Sequence, residues 1–184
     1  MAVKNERVSV ADYLAAEKAG KARGEYPGEA VYAVAGETTT HNQIVGNLYL
    51  ALRGHLKGKP GRVYANDIRV NFDARNNECF YCSDIVVTCD KRDSRQRVVR
   101  HPKVIIEVLS ESTGRIDRRE KFFAYTSIPT LEEYVLVGQE PREATVFRRG
   151  SGWKAAEKYS GAHSKIAVPS LKFSLSLDAV YEGV

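Results

Sequence analysis

The sequence predicts an α/β (α+β) fold with one mixed sheet flanked by helices and with additional antiparallel strands. Helical and strand patterns alternate along the chain, which is typical of this class. Residues 104–109 form a nearly continuous apolar run, as expected of a strand buried on both faces. Residues 41–57 carry apolar side chains at helical spacing, which indicates a long helix packed against the sheet.

Length and composition favour one domain over residues 1–184, because the chain contains no internal repeat, low-complexity segment or linker. The net charge of +5 permits a polyanionic partner without requiring one. Without a signal peptide or a membrane-length apolar run, we expect a cytoplasmic protein with no membrane partner. The sequence has no glycine-rich phosphate loop, so no nucleotide cofactor is expected.

The three cysteines, Cys79, Cys82 and Cys89, are interpreted as buried reduced thiols. Their odd number and the lack of a secretory signal argue against a disulfide framework. The spacing of Cys79 and Cys82 invites a zinc interpretation. A structural zinc ion needs four ligands, however, and positions i and i+3 of a strand face opposite ways.

The N-terminal half begins with a short amphipathic helix, in which Ser9 is a suitable N-cap and Asp12 follows three residues later. A turn at Pro27-Gly28 separates it from the next element. The patterns predict helices at residues 9–18 and 41–57 and strands at 29–35 and 62–72, the last broken near Asn66.

The middle of the chain is predicted to contain one strand over residues 78–88, with Asp84 inside it. Residues 90–100 are highly charged and are predicted to form an exposed, mobile loop. We favour solvated charges there over contacts with phosphates.

The C-terminal half is predicted to contain a charged helix followed by strands. Residues 144–148 and 153–159 read as a hairpin joined through Gly150-Ser151-Gly152. The other predicted elements are a helix at 117–127, a strand at 133–137, a short strand ending at Leu175 and a half-turn at 177–181.

Two carboxylates stand in apolar strand patterns, where a charged group needs a partner, a proton or a metal. Glu107 interrupts the apolar run of residues 104–109, and Asp84 lies in the strand before it. If the two strands are neighbours, both acids open toward one end of the sheet. Two hard oxygen ligands suit Mg²⁺ or Mn²⁺, completed by waters and a phosphate oxygen. Such an ion can activate water against a phosphodiester.

The following helix carries Asp117, Lys121 and Tyr125 at spacings of four residues, so they share one face. Lys121 is the candidate for stabilising charge on the phosphorus. Tyr125 or Ser110 is a candidate for holding substrate oxygens, and Asp67 for reaching the same metal or a second one.

Each residue also has a structural interpretation. Asp117 and Lys121 form an ordinary helix pair at i, i+4. On the same structural interpretation, Asp84 caps a strand end, and Glu107 pairs with an arginine such as Arg115 or Arg118. For His41, in the first turn of the long helix, a polar surface position and a role at the site are equally favoured.

Several motifs together resemble the Uma2 family, also called DUF820. They read SDIVV, P-x-V-I-I-E-V-L-S-x-S-T, D-x-x-x-K-F-x-x-Y and EYVLV, and upstream G-E-x-V at Gly28, T-x-H-N at His41 and N-D-I-R-V around Asp67. The resemblance runs from about residue 9 to the C-terminus. It implies the restriction-endonuclease-like fold of the PD-(D/E)xK nuclease superfamily.

The resemblance implies that Asp84 is the motif aspartate and Glu107 the second acid. Ser83 stands where the superfamily motif has proline, and Leu109 stands where it has lysine. A leucine cannot stabilise a phosphorane, and Lys121 matches a lysine that has moved to the following helix. The expected metal ligands are therefore Asp84, Glu107 and Asp67, and the expected catalytic residues are Asp84, Glu107 and Lys121.

Other matching positions are expected to support the acids or to hold substrate. They are His41, Asp117, Tyr125, Ser110 and Glu29.

The expected function is a Mg²⁺- or Mn²⁺-dependent endonuclease that hydrolyses phosphodiester bonds in DNA. One alternative is a catalytically inactive module that binds nucleic acid or protein on the same fold. Another is a metal-dependent hydrolase of a different phosphate ester. Because nucleases of this type often pair to cut two strands, the resemblance also implies a homodimer, with the hairpin near Trp153 as a candidate interface.

Overall fold

The computed structural model describes residues 8–19, 24–28, 31–33, 37–66, 68–74, 77–94, 98–109, 117–161 and 163–184. Its mixed sheets flanked by helices confirm the predicted fold class. The helices are α1 (Val10–Lys18), α2 (Thr39–His55), α3 (Phe122–Tyr125) and α4 (Leu177–Val180), and a π-helical turn (Asp117–Lys121) runs directly into α3. The strands are β1 (Gly24–Glu25), β2 (Tyr32–Ala33), β3 (Arg62–Ala65), β4 (Arg69–Ala74), β5 (Asn77–Cys82), β6 (Ile85–Thr88), β7 (Val98–Val99), β8 (Val104–Leu109), β9 (Glu133–Gly138), β10 (Glu143–Arg148), β11 (Ala156–Ser160), β12 (Lys165–Val168) and β13 (Phe173–Ser176).

Within the described residues, the largest sheet has six strands in the order β11-β10-β9-β8-β6-β3. Strands β8 and β9 are parallel, and the other neighbours are antiparallel. A second sheet has the order β5-β4-β7, and two-stranded sheets are formed by β1-β2 and β12-β13. Strand β8 therefore lies inside the main sheet, as its apolar sequence predicts.

Helix α2 covers one face of the main sheet. The oxygen Oγ1 of Thr38 accepts a hydrogen bond from the amide of His41 and caps the helix. The predicted apolar stripe is confirmed, because all of its members are buried: Ile44, Val45, Leu48, Leu52 and Leu56. They pack with strand residues such as Val104, Ile106 and Val108 of β8.

The opposite face of the main sheet packs against an aromatic layer. Ile105 and Leu109 of β8 point into this layer, alternating with the residues that face α2. The layer includes Phe72, Tyr81, Tyr125 and Tyr134. Glu107 lies between Ile105 and Leu109 in sequence and shares their face, so its carboxylate enters an otherwise apolar core.

The prediction of one strand over residues 78–88 is wrong. The chain leaves β5 at Cys82 and enters β6 at Ile85, and these strands belong to different sheets. Ser83 and Asp84 form the connection between them. An apolar strand pattern reports burial, and the apolar residues continue on both sides of the change of sheet. Asp84 consequently lies at a strand entrance and not inside a strand.

The prediction that residues 90–100 form an exposed loop is only partly right, because Lys91, Arg92 and Arg100 are exposed whereas Asp93 and Val99 are buried. Residues Lys91–Asp93 form a 3₁₀ turn, and Val99 pairs in β7. The carboxylate of Asp93 is buried and lies within hydrogen-bond distance of the amides of Arg100 and His101, the Thr88 hydroxyl and the His101 ring. This buried acid holds the loop against the sheet.

Several local predictions are confirmed. The Ser9 hydroxyl accepts a hydrogen bond from the amide of Asp12 at the start of α1. The chain breaks between β3 and β4 at Asn66, which has a φ of 52°. The late hairpin is formed by β10 and β11. The three cysteines carry free thiols as predicted, but the prediction that they are buried is confirmed for Cys79 alone, since Cys82 and Cys89 are half-buried. In the described ranges, no helix is both long enough and apolar enough to cross a membrane.

Candidate active site

Strand pairing brings Asp84 and Glu107 together. The antiparallel register matches Ile85 with Ile106, so the next position matches Asp84 with Glu107. The amide of Asp84 lies 3.3 Å from Oε2 of Glu107, and the amide of Val108 donates to Oδ2 of Asp84 at 2.7 Å. The two acids thus stand at one end of the main sheet, Glu107 in β8 and Asp84 at the entrance to the neighbouring strand β6.

The two carboxylates differ in solvent access. The Glu107 side chain is 3% exposed, whereas the Asp84 side chain is 20% exposed. Asp84 is therefore the acid that an ion or a substrate in solvent can reach first. Glu107 is held behind it, where hydrogen bonds and ion pairs compensate the loss of hydration.

Lys121 ends the π-helical turn and projects into this core. Its Nζ lies 2.9 Å from Oε1 of Glu25 and 3.5 Å from Oε1 of Glu107. It also donates to the carbonyl oxygen of Cys82 at 3.2 Å. The extra residue in a π turn changes the direction of the side chains that follow, and such turns are frequent at functional sites. The lysine that the sequence places on this helix is thus within reach of Glu107.

Tyr125 lies one α-helical turn after Lys121 and contacts the same acid. Its hydroxyl donates to Oε1 of Glu107 at 3.2 Å and lies 2.8 Å from the Ser83 hydroxyl. Because the tyrosine hydroxyl donates its proton to the carboxylate, Ser83 is the donor in the second bond. Tyr125 and Ser83 therefore fix the orientation of Glu107 from inside the protein.

His41 contacts Asp84 from the opposite side. Its Nε2 lies 3.1 Å from Oδ2 of Asp84 and 3.9 Å from Glu37. Burial by itself lowers the pKa of His41, but the hydrogen bond and negative charge of Asp84, with the charge of Glu37, outweigh it, so the pKa is raised. The structure therefore places His41 against Asp84, buried and not on the surface.

A hydrogen-bonded connection holds the start of α2 at this end of the sheet. The Thr38 hydroxyl donates to Oε1 of Gln139, and Nε2 of Gln139 donates to the carbonyl oxygen of Leu109. The first turn of α2, which carries His41, is therefore attached to the end of β8.

Tyr81 forms an aromatic wall beside the lysine. Lys121 Nζ lies 6.0 Å from the centre of its ring. Burial, assisted by nearby negative groups such as Glu25, raises the pKa of Tyr81 to about 12. The phenol therefore stays protonated at neutral pH and does not act as a general base.

Some predicted residues lie outside what the structure describes. Asp67, Ser110 and Glu29 are outside the described residues. Asp117 begins the π-helical turn, but its side chain is not described. The roles expected for these four residues remain predictions.

Sequence reasoning missed Glu25, although this residue makes the shorter of the two ion pairs with Lys121. Its Oε1 also accepts a hydrogen bond from the amide of Cys82 at 3.1 Å. Strand β1 has only two residues, too few to show a period. The one feature of the sequence that could have indicated Glu25 is its position next to Tyr26, an aromatic residue that is buried in the structure.

The chemistry of these donors fits a small divalent cation. Mg²⁺ is commonly bound by one or two carboxylates, with waters and substrate oxygens completing its shell. Asp84 and Glu107 provide two such carboxylates at one end of the sheet. The described ranges contain no cluster of three or more histidine, cysteine or acidic side chains arranged to hold a metal.

The fold is a mixed sheet flanked by helices, with two acids and a lysine at one end of the main sheet. The chain belongs to the Uma2 family, because residues 10–179 match the family model described as "Putative restriction endonuclease". It is similar to a solved structure described as a putative nuclease belonging to DUF820 from Anabaena variabilis, with a TM-score of 0.77. That likeness covers 95% of this chain and 98% of the other at 15% identity, and it shows the fold alone.

Two proteins of Synechocystis sp. (strain ATCC 27184 / PCC 6803 / Kazusa) are similar in sequence. The uncharacterized protein slr1290 is 27% identical over 179 residues, which cover 97% of this chain and 93% of that protein. The uncharacterized protein sll1609 is 28% identical over 135 residues, which cover 72% of this chain and 75% of that protein. The similarity to slr1290 thus spans nearly the whole of both chains.

Proposed function

We propose that this protein is a metal-dependent endonuclease that hydrolyses phosphodiester bonds in DNA. The observation that carries the proposal is the convergence of Asp84 and Glu107 from adjacent strands, with Lys121 Nζ 3.5 Å from Glu107. Membership of a family described as "Putative restriction endonuclease" supports a nucleic-acid substrate. Nucleases of this fold generally use divalent metals, which supports the choice of Mg²⁺ or Mn²⁺.

In this proposal, Asp84 and Glu107 hold the cation, and residues around them orient the two acids. When bound, the cation supplies a more acidic water and offsets negative charge on the phosphate. The backbone amide of Val108 and His41 hold one oxygen of Asp84, while Tyr125 holds one oxygen of Glu107. These contacts fix both carboxylates before substrate arrives, and such preorganisation lowers the cost of reaching the reactive geometry.

In this proposal, Lys121 supplies the positive charge that the superfamily motif places at the position of Leu109. Leu109 occupies the motif position of the lysine and is buried in the aromatic layer. Lys121 reaches Glu107 from the helical side, and its ammonium group is placed to stabilise negative charge that develops on the phosphate. The proposal therefore assigns the catalytic ammonium to the helix that follows β8.

One observation favours the alternative of a non-catalytic binding module. Glu107 and Lys121 are 2% and 6% exposed, and a buried ion pair of this kind also occurs as a purely structural element. A module of this type would bind DNA in a salt-dependent way, with no requirement for Asp84.

The test compares the wild type with Asp84→Asn and Glu107→Gln, two changes that remove charge and preserve shape. Cleavage of supercoiled, linear and single-stranded DNA is measured with Mg²⁺ and with Mn²⁺, and Mn²⁺ binding is measured by calorimetry. Asp178→Asn serves as the matched control, since that side chain is 59% exposed and lies in α4. We expect both site variants to lose cleavage and Mn²⁺ binding while remaining folded, and the control to retain both.

Cleavage that survives Asp84→Asn would overturn the assignment of the site. Salt-dependent DNA binding without cleavage, unchanged in both site variants, would favour the non-catalytic module. If nucleotides or other phosphate esters are hydrolysed and DNA is not, the substrate assignment is wrong while the site stands.

We also propose that the protein acts as a homodimer, because nucleases of this type often pair to cut two strands. The late hairpin is the candidate interface: β11 is at the edge of the main sheet and its side chains are largely exposed. Trp153 itself is half-buried, with the Arg149 guanidinium 5.4 Å from the centre of its ring. Light scattering should give twice the chain mass, and a monomer at all concentrations would refute the dimer.

A further inference from the structure

Lys121 lies between two carboxylates, and only one of them belongs to the proposed metal site. Glu107 is on β8 beside Asp84, whereas Glu25 is on the short strand β1. The ammonium group is closer to Glu25, at 2.9 Å, than to Glu107, at 3.5 Å. Glu25 therefore makes the closer contact with Lys121, although it is not one of the two acids proposed to hold the metal.

A divalent cation at Asp84 and Glu107 changes the balance of these contacts. The ammonium group and the cation both favour the Glu107 carboxylate and repel each other. If Glu107 were the only acid beside Lys121, ion binding would weaken the contact that holds the lysine at the site. An acid that binds the lysine without belonging to the metal site removes this competition.

We propose that Glu25 is a positioning residue that holds Lys121 in place when the cation binds Asp84 and Glu107. This inference rests on the proposed function. Two contacts of Glu25 are directed at the lysine and its surroundings. Its Oε1 accepts a hydrogen bond from the amide of Cys82 and forms the ion pair with Nζ of Lys121. The Cys82 amide fixes the carboxylate from the backbone, and the carbonyl oxygen of Cys82 accepts from the same lysine. The end of β5 and Glu25 thus form one cradle for the ammonium group.

The test is a double-mutant cycle on Mn²⁺ affinity, measured by calorimetry on the whole chain. The proteins are wild type, Glu25→Gln, Lys121→Met and the double variant. Glutamine retains an oxygen for the Cys82 amide, so the fold is expected to persist. Removing the charge leaves Glu107 as the acid that meets Lys121 beside the Cys82 carbonyl oxygen, and we expect Glu25→Gln to weaken Mn²⁺ binding about tenfold. With Lys121→Met already present, the same change is expected to weaken binding by less than about threefold.

Two further variants separate this effect from a general loss of negative charge or of folding. Glu78→Gln removes an acid that meets Arg100 and Asn71 on the β4-β5 side of the molecule, and it should leave Mn²⁺ affinity within about twofold of wild type. Glu25→Asp keeps the charge and should restore affinity to within about threefold of wild type. Urea unfolding checks that each protein is folded.

Equal weakening by Glu25→Gln in both lysine backgrounds would overturn the inference, because Glu25 would then act on the ion directly. No weakening in either background would also overturn it. Failure of the proposed function gives a different result from failure of this inference. In that case the wild type does not bind Mn²⁺, or Asp84→Asn binds it as well as the wild type does. Positioning of Lys121 by Glu25 is supported if Glu25→Gln weakens Mn²⁺ binding only when Lys121 is present. At saturating Mn²⁺, the same variant should lower the kcat of DNA cleavage more than it changes KM.

Discussion

Replacing Lys121 by methionine should destabilise the protein strongly, because it leaves two acids facing each other in the core. The side chains of Glu25 and Glu107 are 15% and 3% exposed, so water screens them poorly. Both meet the same ammonium group in the folded protein. Methionine fills a similar volume but supplies no charge and no hydrogen-bond donor, so the change isolates the electrostatic contribution.

The magnitude follows from the distances. The two Oε1 atoms lie within about 6 Å of each other, and two unit charges at that separation repel by about 3 kcal/mol at an effective dielectric constant of 20. The variant also loses two ion pairs and the hydrogen bond to the carbonyl oxygen of Cys82, while it avoids the cost of burying the ammonium group. Removing one partner of a buried ion pair typically costs about 3–5 kcal/mol, and we expect a loss in that range.

The assay is urea unfolding at neutral pH, followed by circular dichroism. Lys158→Met is the matched control, since Lys158 is exposed on β11 and its replacement should change stability by less than about 0.5 kcal/mol. Adding Glu25→Gln to Lys121→Met removes one of the facing charges and should recover about 2–3 kcal/mol. A loss below about 1 kcal/mol for Lys121→Met, with no recovery in the double variant, would refute the electrostatic reasoning.

Three further predictions concern other buried groups. Tyr125→Phe should lower the unfolding free energy by about 1–3 kcal/mol, because Glu107 loses a hydroxyl donor, and urea unfolding measures the loss. Asp93→Asn should cost about 3 kcal/mol in the same assay, because its new NH₂ group faces donors that need an acceptor. The raised pKa of His41 gives a pH effect: its pairing with Asp84 contributes stability fully below pH 6.5 and loses it as pH rises through the folded-state pKa. The stability difference between wild type and His41→Asn should therefore shrink as pH rises, and a difference that grows would contradict the proton assignment.

The chemistry of the site was partly readable from the sequence. Glu107 could be recognised because a carboxylate in an apolar strand is costly unless it is paired or bound to a metal. Lys121 and Tyr125 could be recognised because a spacing of four residues places them on one helical face. The structure brings both to Glu107, although the first turn of the helix is of the π type. Only part of the site was accessible in this way, since Glu25 carried no periodic signal.

The changes of sheet were not readable from the sequence. Residues 78–88 read as one apolar strand, yet β5 and β6 join different sheets, because an apolar pattern records burial and not the identity of the neighbouring strand. Asp84 lies at the entrance to β6 because the chain changes sheet between β5 and β6. Asp93 was misjudged for a related reason: its neighbours in sequence are charged, while its hydrogen-bond donors include Thr88 and His101, five and eight residues away.

The sequence alone determined the fold class, the long helix α2, the buried strand β8 and the acid within it, because hydrophobic periodicity and the cost of burying charge act locally. Tertiary structure decided the register that sets Asp84 opposite Glu107 and the sharing of Lys121 between Glu25 and Glu107. These features join segments that are distant in sequence. Their geometry depends on which strands and helices pack together, and no local pattern contains that information.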